Sequence, residues 1–455
     1  MLTANDSSMR AHTTDKTLIV GLGATGLSVA RYLAARGESF VAVDTRSEPP
    51  GLLQLSEIDP QAEVQLGAFE PELFGCAARL VVSPGVSLRE AALRYAVDAG
   101  AELIGDIELF ARQAHAPVAA ITGSNGKSTV TILLTAMARA AGLLARAGGN
   151  LGTPALDLIE NPEPDLYVLE LSSFQLETIS SLRPAAAVVL NVSADHMDRY
   201  ANLGEYAAAK SRVYDQACCC IFNRDDPVVT AMVQGAHESQ RWVSFGLDTP
   251  AQGHYGLWES GNGTWLCKGD EPLLATDQLR IAGRHNWANA LAALALGEAL
   301  GFSMPIMCDT LRDFSGLPHR TQWIAEHNGV RWYNDSKGTN VGATMAALCS
   351  MPGPVILIAG GDGKGADFTS LRPIVATHAR AAVLIGRDAA RLATALEGTV
   401  PLFMASDMED AVAQAAHLVR PGDQVLLSPA CASLDMYSGY AERGEHFMST
   451  VRRCL

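Results

Sequence analysis

Val118-Ala119-Ala120-Ile121 runs into Thr122-Gly123-Ser124-Asn125-Gly126-Lys127-Ser128-Thr129, and a helix-like stretch follows from Val130 to Ala141. An apolar strand, a glycine-bracketed polar turn and a helix, in that order, form the strand–loop–helix unit of an α/β sheet. A helix start offers unpaired backbone N–H groups and the positive end of its dipole, so main chain binds a polyphosphate there before any side chain contributes. Gly123 and Gly126 let the backbone approach phosphate oxygens, Lys127 can neutralise the terminal phosphates, and the hydroxyl of Ser128 or Thr129 can ligate Mg²⁺. The full Walker spacing needs a glycine six places before Lys127, where Ile121 stands. A nucleotide-binding loop of variant spacing is therefore expected.

A second glycine loop lies nearer the start. Thr17 to Val20 leads into Gly21-Leu22-Gly23-Ala24-Thr25-Gly26, then an amphipathic Leu27 to Arg36, then Phe40-Val41-Ala42-Val43-Asp44. This βαβ dinucleotide fingerprint fits NAD, or a Rossmann-like domain holding another diphosphate, and the pattern alone does not separate the two. Leu80-Val81-Val82 meets a further polar turn at Ser83-Pro84-Gly85, and the chain leaves this unit near Gly105-Asp106.

In the central segment, Gly148 to Pro154 reads as a turn. Leu166 to Leu169 delivers Glu170, and a carboxylate ending a buried strand is costly unless a cation or donor meets it. Glu170 is thus a candidate Mg²⁺ ligand, or a salt-bridged residue. A second apolar strand, Ala185 to Leu190, delivers His196, and two strand ends beside a phosphate loop favour a site over a structural histidine. Lys210, in the Ala-rich Tyr206 to Val213, reads locally as an exposed helix lysine. Short β-like pieces between Trp242 and Ile281 predict an antiparallel sheet beside the main one. Asn286 and Asn289 open a helical run to Leu300, either as caps or as partners of a base or phosphate.

Gly316-Leu317-Pro318-His319-Arg320 reads as a domain joint. Beyond it, polar loops follow strands at Asn334 to Asn340, Gly360 to Gly365 and Ser428 to Ser433. Three such loops predict one more crevice, and Lys364 is more than a glycine turn requires.

Bulk properties exclude several classes. A chain of 455 residues with 48% hydrophobic content suits about three domains. A net charge of −15 argues against a nucleic-acid groove, which needs many cationic contacts. Nine cysteines, an odd number that includes the adjacent Cys218, Cys219 and Cys220, contain no Cys-x-x-Cys, so reduced thiols and no metal role for the triplet are expected. The polar, acid-containing leader from Met1 to Lys16 is unlike a signal peptide, and no run of 18 apolar residues occurs. A cytoplasmic protein with no membrane partner is expected.

The Thr122 to Thr129 loop, Leu169 to Glu177, Asp195-His196-Met197-Asp198-Arg199-Tyr200, Gly316 to Arg320, Asp335-Ser336-Lys337 and Ser428 to Ser433 together resemble the Mur ligases. Within that family the likeness is to the members that add D-glutamate. The resemblance implies three α/β domains: 1–105, Rossmann-like, for a UDP-substrate; 106–316, a P-loop-type ATPase with a mostly parallel sheet plus a small antiparallel one; and 317–455, Rossmann-like, for the incoming amino acid. It favours UDP over NAD in the first domain, with Leu22 and Thr25 at the pyrophosphate and Asp44, Thr45 and Ser83 at the uridine end.

The implied activity is ATP-dependent. ATP phosphorylates the alanine carboxylate of UDP-N-acetylmuramoyl-L-alanine, the amine of D-glutamate attacks the acyl phosphate, and amide, ADP and phosphate result. By the same resemblance Gly123, Ser124, Asn125, Gly126, Lys127, Ser128, Thr129, Asn289, Arg320 and Asp335 form the ATP site, and Asn150 lies near the reacting phosphate. Two Mg²⁺ ions are held by Ser128, Glu170 and His196, with Lys210 carbamylated and therefore anionic. Thr339, Lys364, Ser433 and Tyr440 match the D-glutamate site, although Tyr440 stands where Phe is commoner and Gly338 replaces a common Ala. A monomer acting only on small molecules is expected. The alternatives are an NAD-dependent oxidoreductase, which leaves the Lys127 loop unexplained, a non-catalytic nucleotide-binding regulator, and a sibling ligase adding another amino acid.

Overall fold

The long apolar runs become strands buried on both faces: Phe40–Asp44, Val118–Thr122, Leu166–Glu170 and Val355–Gly360 are buried at every position. Continuous rather than alternating hydrophobicity marks parallel strands covered by helices on both sides. The computed structural model describes residues 16–455 apart from 234–239, 262, 282 and 352, so the leader before Lys16 lies outside the described residues. Three sheets result.

The first sheet has the parallel order Glu63–Leu66, Phe40–Asp44, Lys16–Val20, Ala77–Val82, Glu102–Ile104. Its strand order reverses beside Lys16–Val20, and there the Gly21 to Gly26 loop meets Ser83, whose hydroxyl donates to the Gly21 carbonyl at 2.9 Å. A Cβ on Gly26 would lie 2.0 Å from the Gly21 carbonyl oxygen, so no other residue fits that turn.

The second sheet has nine strands. Its parallel part runs Arg241–Phe245, Cys219–Asn223, Ala186–Val189, Val118–Thr122, Leu166–Glu170, Ala145–Gly149. The antiparallel strands Tyr255–Ser260, Gly263–Lys268 and Glu271–Ala275 are present, but they continue this sheet through a Phe245 to Tyr255 pairing instead of forming one of their own. The reason lies in packing: Leu257, Leu266 and Leu274 bury against the same core as the helices Lys127–Ala140 and Arg284–Ala299. Gly148 and Gly149, expected in a turn, instead end a strand, where a Cβ on Gly149 would sit 2.5 Å from the Glu170 carbonyl oxygen. Asn286 and Asn289 are not caps, because the helix begins at Arg284 behind Gly283.

The third sheet has the order Gln322–His327, Val330–Asn334, Gln424–Leu427, Val355–Gly360, Ala379–Ile385, Leu402–Met404, with the first pair antiparallel and the rest parallel. The first two sheets share a core. Ile107 and Phe110 of the helix Asp106–Gln113 pack with Ile19 and Leu33 on one side and Tyr167 and Leu169 on the other. No helix among the described residues is long and apolar enough to cross a membrane.

Candidate active site

The phosphate loop is pinned before any ligand arrives. Gly123 and Gly126 have φ of 151° and 85°, and Gly126 caps the helix that begins at Lys127. The Ser124 N–H donates to the Asn191 carbonyl at 2.9 Å, the Asn125 N–H to Asn191 Oδ1 at 2.8 Å, and Asn191 Nδ2 returns a bond to the Asn125 carbonyl at 3.0 Å. Lys127 Nζ folds back onto the carbonyls of Gly123 and Ser124 at 2.8 and 2.9 Å. Burial holds its pKa below the ordinary lysine value, against the pull of Glu170. Ser128 and Thr129 are buried, and Arg320 Nη2 reaches from the end of the joint to donate to Ser128 Oγ at 2.8 Å.

Beside this loop is a cavity of about 360 Å³ whose lining includes Asn125, Gly126, Thr129, Asn289, Arg320 and Asp335. Asn289 Nδ2 donates to Asn286 Oδ1 at 3.1 Å. Asp335 accepts from the Thr321 N–H at 3.0 Å and Ser428 Oγ at 2.7 Å, yet burial still pushes its pKa up to about 6. Lys337 lines the same cavity, and burial beside Arg320 brings its pKa down to about 8.

Lys210 corrects its local reading. It is 1% exposed, because the face of the helix Leu203–Ser211 carrying Tyr206 and Lys210 turns into the phosphate loop. Its Nζ donates to the Gly123 carbonyl at 3.0 Å and lies 4.4 Å from the centre of the Tyr206 ring. Among the described residues no carboxylate forms an ion pair with it. Burial, with Lys127 nearby, drives its pKa well below the ordinary lysine value.

Glu170 ends its strand 3% exposed. Oε1 accepts from Asn150 Nδ2 at 2.8 Å, while Oε2 is buried with no hydrogen-bond partner. Burial raises its pKa, but Lys127, the nearby Ser128 hydroxyl and Asn150 outweigh that and keep it ionised. An ionised, buried, half-satisfied carboxylate oxygen beside a hydroxyl suits a hard divalent cation. His196, at φ 57°, sets its ring edge-on to Phe174 at 4.9 Å, and burial keeps it neutral despite Asp195. Neutral imidazole is the metal-binding form. Among the described residues no three acids, histidines or cysteines converge on one point.

A second cavity of about 650 Å³ lies between the first two sheets, lined by Thr25, Asp44, Thr45 and Ser83 from the first and by Asn150 and Gln175 from the second. Leu22 is not among the lining residues: its side chain is fully buried and its N–H donates to Asp44 Oδ2 at 2.7 Å. Burial raises the Asp44 pKa, but bonds from Arg46 and Leu22 bring it down to about 2. Arg46 grips that carboxylate at 2.8 and 2.6 Å and lines the cavity, a role the sequence reading missed although it stands two places after the strand-closing acid.

The third cavity, of about 450 Å³, is lined by His196, Thr339 and Lys364 together with Asp195 and Asn340. Ser433 and Tyr440 lie outside it: Ser433 is buried, and the Tyr440 ring sits 3.7 Å from Lys337 Nζ. Asn340 and Asn125 exchange amide hydrogen bonds at 3.2 and 3.4 Å across the seam, and Asn340 also donates to Asp195 at 3.3 Å. Asn150 thus joins the second cavity to Glu170, and Asn125 joins the first to the third. The arrangement can bring a polyphosphate, a nucleotide-linked acid and a third small molecule to one point.

Comparison with known proteins agrees in extent. Residues 15–105 match the Mur ligase MurD-like N-terminal domain, 121–297 the Mur ligase middle domain, and 319–431 the Mur ligase glutamate ligase domain. The chain is 55% identical to the UDP-N-acetylmuramoylalanine--D-glutamate ligase of Nitrosococcus oceani, over 96% of this chain and 97% of that protein. It is 50% identical to the protein of the same name from Pseudomonas aeruginosa, over 95% and 97%. Among solved structures it is similar in fold to a pseudomurein peptide ligase type C from Methanothermus fervidus, with TM-score 0.61, 17% identity and coverage of 96% and 100%. A UDP-N-acetylmuramate-alanine ligase from Thermotoga maritima superposes with TM-score 0.59, 16% identity and coverage of 97% and 100%.

Proposed function

This chain belongs to the Mur ligase family, and from that premise we propose that it joins D-glutamate to UDP-N-acetylmuramoyl-L-alanine at the expense of ATP, supplying a peptidoglycan precursor. The observation that carries this reading is that three cavities are tied together by side chains: Asn150 of the second bonds Glu170, and Asn340 of the third bonds Asn125 of the phosphate loop, which lines the first. A carboxylate repels an amine and has no good leaving group, and phosphorylation by ATP supplies one. The loop N–H groups and Lys127 then bind the transferring phosphoryl group, with Lys127 released from its own carbonyls to do so. Arg320 leaves Ser128 for the phosphates. Asn289 and Asp335 hold the nucleotide, and Asn150 fixes the carboxylate that is to react.

Glu170, Ser128 and His196 would hold Mg²⁺ at two sites, and the metal supplies charge neutralisation on the phosphates. Lys210, its pKa lowered by burial, attacks CO₂ as the free amine and loses a proton, giving an anionic carbamate beside those sites. Lys364 pairs with a carboxylate of the amino acid, and Thr339 orients it. Ser433 and Tyr440 act on that site from behind, Tyr440 through Lys337. The UDP moiety lies over Thr25, Asp44, Thr45 and Ser83. The enzyme works as a monomer and in the cytoplasm, the location being in keeping with its nine free cysteines. The test supplies purified protein with UDP-N-acetylmuramoyl-L-alanine, Mg²⁺, ATP and each candidate amino acid in turn. Phosphate release with D-glutamate alone is expected, and release with NAD chemistry or with another amino acid instead would overturn the reading.

A further inference from the structure

One buried acid takes no part in the chemistry above. Asp106 begins the helix that carries the chain from the first sheet to the second, and it is 1% exposed. Two residues on, Glu108 is equally buried but fully served: Ser180 and Ser181 N–H groups, the Ser181 hydroxyl and Arg112 all donate to it. Asp106 has less company. Besides the helix-start N–H groups of Asp106 and Ile107 close to its carboxylate, its Oδ1 is buried without a partner at hydrogen-bond distance, no cation pairs with it among the described residues, and its Oδ2 accepts from Gln175 Nε2 at 3.2 Å. A fold that needed only an anchor here would use a neutral residue, because an unpaired buried carboxylate costs stability.

Gln175 explains the cost. It lines the cavity between the first two sheets beside Asn150. Its Oε1 accepts from the Ser172 N–H at 3.1 Å and the Ser172 hydroxyl at 3.3 Å. A backbone N–H can only donate, so the amide cannot be flipped, and Nε2 must point the other way. One Nε2 hydrogen goes to Asp106, which leaves the second as a single donor. The linker is pressed against this short turn: a Cβ on Gly105 would meet Thr178 Oγ1 at 2.3 Å.

We infer that Asp106 is a positioning residue for substrate, holding the Gln175 amide so that its remaining N–H is presented to an acceptor oxygen of the nucleotide-linked acid. This rests on reading that cavity as the UDP-substrate site. Asp106 touches no substrate itself. Since it sits where the chain crosses between sheets, it also ties the Gln175 donor to the position of the first sheet, which holds the other end of the same ligand.

The test compares wild type, D106N, Q175A and the double variant in the full ligase assay, with melting temperature measured alongside. In D106N one amide oxygen must serve both Gln175 and the helix-start N–H groups, so the hold on Gln175 weakens. The expected result is a KM for UDP-N-acetylmuramoyl-L-alanine raised about tenfold, the size of one lost hydrogen bond. KM values for ATP and D-glutamate stay as in wild type, the melting temperature does not fall, and the double variant is no worse than Q175A. An unchanged KM, a rise in all three KM values together with a fall in melting temperature, additive losses, or a D106N protein that does not fold would each overturn the inference. If wild type itself fails to turn over this substrate, the reading of the cavity falls instead.

Discussion

Replacing Gly126 with alanine probes the loop at its tightest point. Two costs can be worked from the structure. At φ 85° the backbone is left-handed, which costs a residue with a Cβ about 1–2 kcal/mol. The added Cβ would also lie 2.4 Å from Asn289 Oδ1 and 3.3 Å from Leu190 Cδ1, so Asn289 must move and give up its bond to Asn286. That bond contributes about 0.5–1.5 kcal/mol. The expected total is about 2–3 kcal/mol of stability, read by urea unfolding, with KM for ATP raised about tenfold as Asn289 leaves its place in the nucleotide cavity. A second substitution separates the terms: Asn289→Ala removes the clash, so G126A/N289A should recover about 1 kcal/mol relative to the sum of the single variants. Stability of G126A equal to wild type would refute the strain argument. Strict additivity of the two substitutions would refute the contact between them.

Lys127→Ala should raise the barrier by about 3 kcal/mol, roughly a hundredfold in turnover, with the urea midpoint little changed; turnover within tenfold of wild type removes it from the mechanism. Lys210→Ala should lose activity and regain part of it with added short carboxylic acids, and ¹³C NMR in labelled bicarbonate should show a carbamate signal in wild type that the variant lacks. Asp106 has a folded pKa of about 6, raised from 3.8 by burial, so its contribution to stability is present below pH 4 and lost as pH rises through 6. D106N should therefore gain on wild type by about 2–3 kcal/mol in unfolding free energy between pH 4 and 7. A difference that does not vary with pH would show that the group titrates normally.

Most of the architecture was readable because it is local. Apolar runs, glycine turns and helix periods at Gly21 to Asp44 and Ile121 to Ala140 need no knowledge of what lies opposite. Lys210 shows where this ends: its neighbours in sequence are alanines, and what buries it is Gly123, 87 residues away. Asp106 and Asn340 escaped for the same reason, since their partners are side chains brought together only by folding, whereas Arg46 was within reach, its partner Asp44 standing two places before it. The antiparallel strands were legible as strands, but which edge they would join depended on the core they share with the Arg284–Ala299 helix. Likewise Ser433 and Tyr440 follow a binding-type loop, yet their side chains end up behind the cavity that the loop helps to build.

No ligand cavity here is made by one sheet. The first cavity is lined by Arg320 and Asp335 as well as by the phosphate loop, and the second by Gln175 as well as Asp44. Under the proposed function, activity then depends on the spacing between sheets, which could be disturbed without occupying any of the three pockets. A small wedge lodged in the Asn125–Asn340 seam, resembling neither ATP nor sugar nor amino acid, would silence the enzyme by keeping its halves an ångström or two too far apart.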